Sequence, residues 1–290
     1  MPDSYLDRSK AGLQETGTEA GVNWSQLWAD RLSRSRHQTG LRRRGISSEQ
    51  FWDGFSRWQE LHRYTRYPGR VLERILESVD HQTTVLDIGA GNGAFAIPVA
   101  KAAKQVTAVE PSSGQIARLM ENAALAGVRN INVLQSRWED VSGAEAGQHD
   151  LVVAAYCFQM NDITSALDKM YRAAGRSLFL VHSAGHDMLG PLGDVLGNME
   201  TGPDYVLLYN VLSEMGHRAS VEVFTRDYEI PLDFDLEILG YSQALSAENK
   251  GKLRRHLEMA GKVFARDGVP WVRRQYKDAL IRLDKEGNQR

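Results

Sequence analysis

The stretch Val85-Leu86-Asp87-Ile88-Gly89-Ala90-Gly91-Asn92-Gly93 restricts this chain more than any other. An apolar run meets three glycines at alternate positions, and Ala94-Phe95-Ala96-Ile97 opens a helix directly after them. Glycine is needed where φ is positive, where backbone approaches a ligand, or where helix packs on strand. Strand, glycine turn and helix in that order leave backbone N–H groups facing a crevice at the strand's carboxyl end. A second apolar strand, Gln105 to Val109, ends at Glu110, where a carboxylate can take both hydroxyls of a ribose.

Two kinds of nucleoside ligand use such a turn, and the details separate them. A dinucleotide site wants G-x-G-x-x-G, with the pyrophosphate on the helix N-terminus. Here the spacing is G-x-G-x-G, and Ala94 stands where the dinucleotide pattern needs its last glycine. Asp87, two residues before the first glycine, would repel a pyrophosphate but attract a cationic ligand. S-adenosylmethionine carries a sulfonium and an ammonium and fits the acid better.

At these residues the chain resembles the class I S-adenosylmethionine-dependent methyltransferases. Residues 85–93 look like their motif I and Val106 to Glu110 like motif II. Ser136-Arg137-Trp138-Glu139-Asp140 and Asp150 to Tyr156 fall where motifs III and IV belong. The resemblance covers roughly residues 64–182. It implies an α/β fold: a doubly wound, mostly parallel seven-stranded sheet with helices on both faces, added N-terminal helices and a lid insertion. It also implies cofactor contacts from Asp87, Gly89, Ala90, Gly91, Glu110, Pro111, Trp138, Glu139, Ala155 and Tyr156. Upstream, a similar aromatic and basic stretch often closes over the methionine end, which points to Tyr64 against the sulfonium and Arg66 on the carboxylate. One departure stands out: where a typical member places Asp for the adenine amine, this chain has Arg137, and Glu139 becomes the expected acceptor.

Composition narrows the class of function. A net charge of -2 argues against a dedicated nucleic-acid binder, and the single cysteine, Cys157, excludes an internal disulfide or a cysteine-built zinc site. No apolar run of about 18 residues exists, so no membrane partner and a cytoplasmic location are expected. Neither His182 nor His186 sits in a metal-ligand cluster, and no metal is expected.

Taken in order, residues 1–70 read as an N-terminal helical extension, its first ~20 residues flexible by their polar composition. Trp24, Trp28 and Leu32 share a helical face there, and a basic run from Arg31 to Arg44 is mostly a solvated helix end. Residues 71–290 form the Rossmann-like domain, with helical insertions around 186–217 and 234–266. The second insertion includes a helix read from Glu248 to Phe264, and Trp271 to Leu283 supplies the last, antiparallel strand.

Methyl transfer from a sulfonium needs alignment and exclusion of water, and a base only when the nucleophile arrives protonated. Weak candidates for catalysis are therefore Tyr156, after the fourth strand, and His182, ending the fifth. The Asp/Asn-Pro-Pro-aromatic motif of amino-methyltransferases on nucleobases is absent, and a small-molecule acceptor is expected by elimination. The alternatives are a cofactor-binding protein without catalysis, and an RNA or protein methyltransferase docking through Arg31–Arg44. The acceptor pocket is expected between Tyr64 or Tyr67 on one flank and Tyr205 or Tyr209 on the other.

Overall fold

Strand residues buried on both faces mark the middle of a parallel sheet, and β1 (Thr84–Ile88) and β4 (His149–Ala155) have that character. The computed structural model describes residues 21–54, 57–197 and 201–285. In it β2 (Gln105–Val109), β3 (Ile131–Leu134) and β5 (Ala174–His186) join β1 and β4 in parallel register. Three further strands, β6 (Ser220–Pro231), β7 (Val263–Arg266) and β8 (Val269–Asp284), are antiparallel, giving the order β3-β2-β1-β4-β5-β8-β6 with β7 paired to β8.

Thirteen helices among the described residues surround the sheet. Before β1 lie α1 (Trp24–Arg34), α2 (Arg36–Arg44), α3 (Ser48–Asp53), α4 (Trp58–Thr65) and α5 (Arg70–Leu76). Between the parallel strands lie α6 (Ala96–Ala100), α7 (Ser113–Leu125), α8 (Gly143–Ala146) and α9 (Ile163–Ala173). Beyond β5 come α10 (Leu189–Leu196), α11 (Tyr205–Glu214), α12 (Leu232–Ser242) and α13 (Ala247–Met259). Side-chain alternation divides the sheet core cleanly. Leu86, Ile88, Val152, Ala154, Leu178 and Leu180 pack toward α9, α11 and Trp28; Val85, Val106, Ala108, Val153, Phe179 and Val181 pack toward α5 and α6. A third cluster, with Leu192, Ile230, Phe234, Leu253 and Val272, joins α10, α12 and α13 to β6 and β8.

Among the described residues the sheet has the seven strands of its main path and an eighth, β7, paired to β8 alone. The helix read through Phe264 ends at Met259; Gly261, at φ +65°, turns the chain, and Val263–Arg266 becomes β7. The insertion expected around 186–217 holds α10 and α11. In α11, Leu207, Leu208, Val211 and Leu212 are buried in the sheet core, Tyr205 packs beside them, and Tyr209 is exposed. The expected flexible N-terminal segment lies outside the described residues. Trp28 is fully buried, and its indole N–H donates to the Met160 carbonyl at 3.0 Å, so it fastens α1 to the loop after β4. Among the described residues no helix is long and apolar enough to cross a membrane.

Candidate active site

The three glycines of the turn do three different things. A Cβ on Gly89 would stand 2.3 Å from Cys157 Cβ, and one on Gly93 would stand 2.5 Å from Leu119 Cδ1. Both are packing positions. Gly91, at φ +54°, has nothing within 4 Å of its would-be Cβ and opens on a cleft of about 950 Å³. Cys157 is thereby explained as a small apolar filler, its thiol pushed up by burial.

Glu110 closes the turn from the next strand. Its Oε2 accepts from Gly91 N–H and its Oε1 from Ser112 N–H, both at 2.9 Å, and burial raises its pKa against these two bonds. The carboxylate thus fixes the turn and still presents lone pairs to the cleft. Glu110→Ala should weaken S-adenosylhomocysteine binding by about 1.5–3 kcal/mol per lost charge-assisted bond, measured by calorimetry. Glu110→Gln should rescue little, because its NH₂ would face one of two N–H donors. Equal affinity for Gln and Glu would contradict this geometry.

Asp87 lies beneath the same turn, 2% exposed, and accepts from the Ala96 backbone while its Oδ2 has no hydrogen-bond partner. Burial, and then the charge on Glu110, push its pKa up to about 7. A buried acid with an orphaned oxygen in a cleft wall suits a cationic ligand. Because this pKa is raised, the stability Asp87 contributes is full below its unfolded value near 3.8 and is lost as pH rises to about 7. Asp87→Asn should therefore stabilise the cofactor-free protein at pH 8 relative to wild type, by up to about 4 kcal/mol, and not at pH 4. Thermal melts at the two pH values check it. Wild-type affinity for S-adenosylmethionine should rise as pH passes through about 7, and that of the variant should not.

Opposite the glycine turn, α3 roofs the cleft with Ser48, Glu49 and Trp52, facing Pro111, Trp138 and Glu139. Arg137, in the place of the expected Asp, reaches Glu49 at 2.6 Å. Partial burial opposes the Glu49 charge, but hydrogen bonds from Arg137 and Ser47 outweigh it and hold the pKa at about 2. Asp53 accepts from the Ser112 hydroxyl and from Gly114 N–H, the latter at 3.1 Å, and Gln115 donates to the Trp52 carbonyl at 3.0 Å. The roof is thereby sewn to the start of α7.

The inner end of the cleft is aromatic and charged. Tyr156 follows β4 at φ +55°, a costly conformation for a tyrosine that the Val181 carbonyl supports by accepting its N–H at 2.9 Å. Its hydroxyl donates to Asp278, which also takes Arg226 through Nε at 2.5 Å and Nη2 at 2.9 Å. Burial opposes the Arg226 charge, but the Asp278 contacts overcome it and raise the pKa. The guanidinium lies over the rings of Tyr67 and Tyr276 and donates to the Thr65 carbonyl at 3.0 Å. His186 stacks on Tyr276, and His62 lies 5.0 Å from Tyr67. Burial lowers both imidazoles to about 4, so they are neutral near pH 7.

Of the expected contacts, Asp87, Gly89, Ala90, Gly91, Glu110, Pro111, Trp138, Glu139, Ala155 and Tyr156 all line this one cleft. Tyr64 and Arg66 do not. Arg66 ends α4 at φ +53°, and the chain turns there, leaving Tyr64 against Phe234 and Trp271 while Tyr67 lines the cleft. His182 is absent from the lining; it is buried behind it, stacked on Phe158, with Nδ1 unpartnered and its pKa lowered to about 4. Tyr156 lines the cleft, with burial lifting its phenol well above the ordinary value and its hydroxyl donating to Asp278. Tyr205 and Tyr209 lie outside the cleft, and the far flank is instead α12, through Asp235, Ile238 and Leu239. Sequence reasoning missed Arg226, Tyr276 and Asp278. Charges inside β-branched strands were the available signal, but only the register puts Arg226 opposite Tyr276.

Residues 85–176, which contain the turn, Glu110 and Tyr156, match the family described as a methyltransferase domain. That segment is a class I S-adenosylmethionine-dependent methyltransferase domain. The chain is 27% identical over 158 residues to an uncharacterized Haemophilus influenzae protein, covering 53% of this chain and 59% of that one. It is 33% identical over 114 residues to the ribosomal protein L11 methyltransferase of Clostridium botulinum, covering 37% of this chain and 34% of the relative. The match therefore spans less than two thirds of either relative. In fold it resembles the YcgJ protein from Bacillus subtilis, with TM-score 0.52 and 16% identity over 74% of this chain and 98% of that one.

The residues fit the family's cofactor. Gly91 leaves the space, Glu110 presents lone pairs for a ribose, and the orphaned Asp87 oxygen suits positive charge. When bound, S-adenosylmethionine supplies an electrophilic methyl group.

Proposed function

We propose that the protein methylates a small molecule held at the aromatic inner end of the cleft. The supporting observation is that one roofed cleft of about 950 Å³ runs from Gly91 and Glu110 to Tyr156, Tyr276 and Arg226. That volume is at the upper end of small-ligand sites, about 300–1,000 Å³, and cofactor and acceptor would share it. Tyr67, Tyr156 and Tyr276 supply apolar walls that exclude water, and the Arg226–Asp278 pair holds Tyr156 in place. Neutral His62 or His186 accepts a proton where the acceptor carries one; thiols and other soft nucleophiles need little help.

Docking of RNA or protein through Arg31–Arg44 draws less support. Arg36, Arg42 and Arg44 donate to the carbonyls of Gln243, Ser33 and Tyr241, so half of that run serves the fold. The test is methyl transfer from radiolabelled cofactor to a panel of thiols, phenols and amines. Incorporation into at least one is expected. Label entering only RNA or protein fractions would overturn the small-molecule reading, and no label anywhere would favour binding without catalysis.

A further inference from the structure

A second cavity, about 870 Å³, lies on the outer side of α4 against β6, β7 and β8, and the cofactor chemistry makes no use of it. Its lining has six cationic side chains against three carboxylates, an excess of three positive charges in a chain whose total is -2. The carboxylates are already engaged. Glu229 takes Arg266 and Arg273, Asp187 takes Lys262 and Arg274, and Asp227 takes the Gln275 amide. The side chains of Arg63 and Arg66 line the groove and make no ion pair or hydrogen bond among the described residues, although the Arg63 charge also acts on Glu60. Arg66 holds the left-handed conformation there, which costs backbone energy for a residue with no internal partner.

The groove also adjoins the acceptor end of the cleft. Arg274 and Tyr228 line both cavities. Arg274, only 6% exposed, bonds Asp187 on the groove side at 3.0 Å and Asp235 on the cleft side at 2.5 Å, so one guanidinium forms the partition. Planar guanidinium forks in excess over carboxylates match phosphate better than any neutral ligand.

We propose that this groove binds a phosphate group, with Arg63 and Arg66 as its unpaired ligands and Arg274 as its contact with the reaction cleft. This goes beyond the small-molecule reading and is tested apart from it. Inorganic pyrophosphate is titrated into the full chain by calorimetry at low salt, with and without saturating S-adenosylhomocysteine. Binding is expected, undisturbed by S-adenosylhomocysteine, and weakened about ten-fold or more in Arg63→Ala/Arg66→Ala. Arg34→Ala/Arg43→Ala removes the same charge from exposed positions outside the groove and should change binding less than about two-fold. All four residues are exposed, and unchanged S-adenosylhomocysteine affinity in each variant reports an intact fold.

No binding of pyrophosphate, equal loss in both double variants, or displacement by S-adenosylhomocysteine would each overturn the site. Far tighter binding of a ten-base oligouridylate, weakened alike by both double variants, would replace it with an extended RNA surface. With an acceptor in hand, competitive inhibition by pyrophosphate assigns the phosphate to the acceptor itself. Binding without inhibition assigns it to a separate ligand, and either result upholds the site. Wild-type protein that binds pyrophosphate but not S-adenosylhomocysteine would sink the methyltransferase reading and leave the groove standing.

Discussion

Gly91→Val abolishes useful cofactor binding, with affinity for S-adenosylhomocysteine reduced about 100-fold, or about 2.7 kcal/mol, in a protein that remains folded. The two halves of that expectation have separate causes. The added Cβ meets no protein group within 4 Å, so the side chain is directed into ligand space. The backbone, at φ +54°, is strained by a β-branched residue at a cost of about 1–2 kcal/mol, which lowers Tm by a few degrees. Gly89→Val gives the contrary pattern, because its side chain would strike Cys157 under the strand. Calorimetry with melting curves separates the two, and comparable unfolding of both variants would show that Gly91 is a packing position after all.

Asp278→Ala is expected to be the most damaging single change to stability, about 3–5 kcal/mol. It leaves the Arg226 guanidinium unpaired between Tyr67 and Tyr276, where Asp278 is only 1% exposed, and removes the acceptor of the Tyr156 hydroxyl. An apolar pair, Arg226→Met with Asp278→Leu, should recover most of the stability, since the burial cost of both charges disappears together. Turnover should stay low in that double variant because Tyr156 is still without its anchor. Urea denaturation and initial rates measure the two effects. A double variant as unstable as Asp278→Ala would mean that shape, not charge, holds this corner.

The sequence is most legible where local chemistry leaves one solution. Asp87, the turn from Gly89 to Asn92 and Glu110 are short-range features, and they line one cleft. The antiparallel last strand also follows the expectation, because Trp271 to Leu283 lies within β8, which runs antiparallel to β5 and β6. Legibility fails where long-range pairing decides. Arg226 and Asp278 are 52 residues apart, and only the β6–β8 register makes them partners. The strand β6 is longer than its apolar stretch, Ser220 to Phe224, because its charged continuation is neutralised across the sheet: Arg266 and Arg273 reach Glu229, and Gln275 reaches Asp227. The misplacement of Tyr64 and Arg66 has a smaller cause. One left-handed residue, which no propensity announces in an arginine, exchanges inside for outside between Tyr64 and Tyr67.

The stitching of α3 onto α7 bears on time as well as on structure. Asp53, the Trp52 carbonyl and Glu49 hold the roof through contacts to Ser112, Gly114, Gln115 and Arg137, residues that flank Glu110 and Trp138. Were a nucleoside seated beneath them, its release would require several of these contacts to part in concert. Loosening the seam, as in Asp53→Ala, would then shorten the residence time of the spent cofactor more than it changes the strength of its binding. Such an enzyme would cycle at a pace set by the opening of its N-terminal helices, a clock located some distance along the chain from the chemistry it regulates.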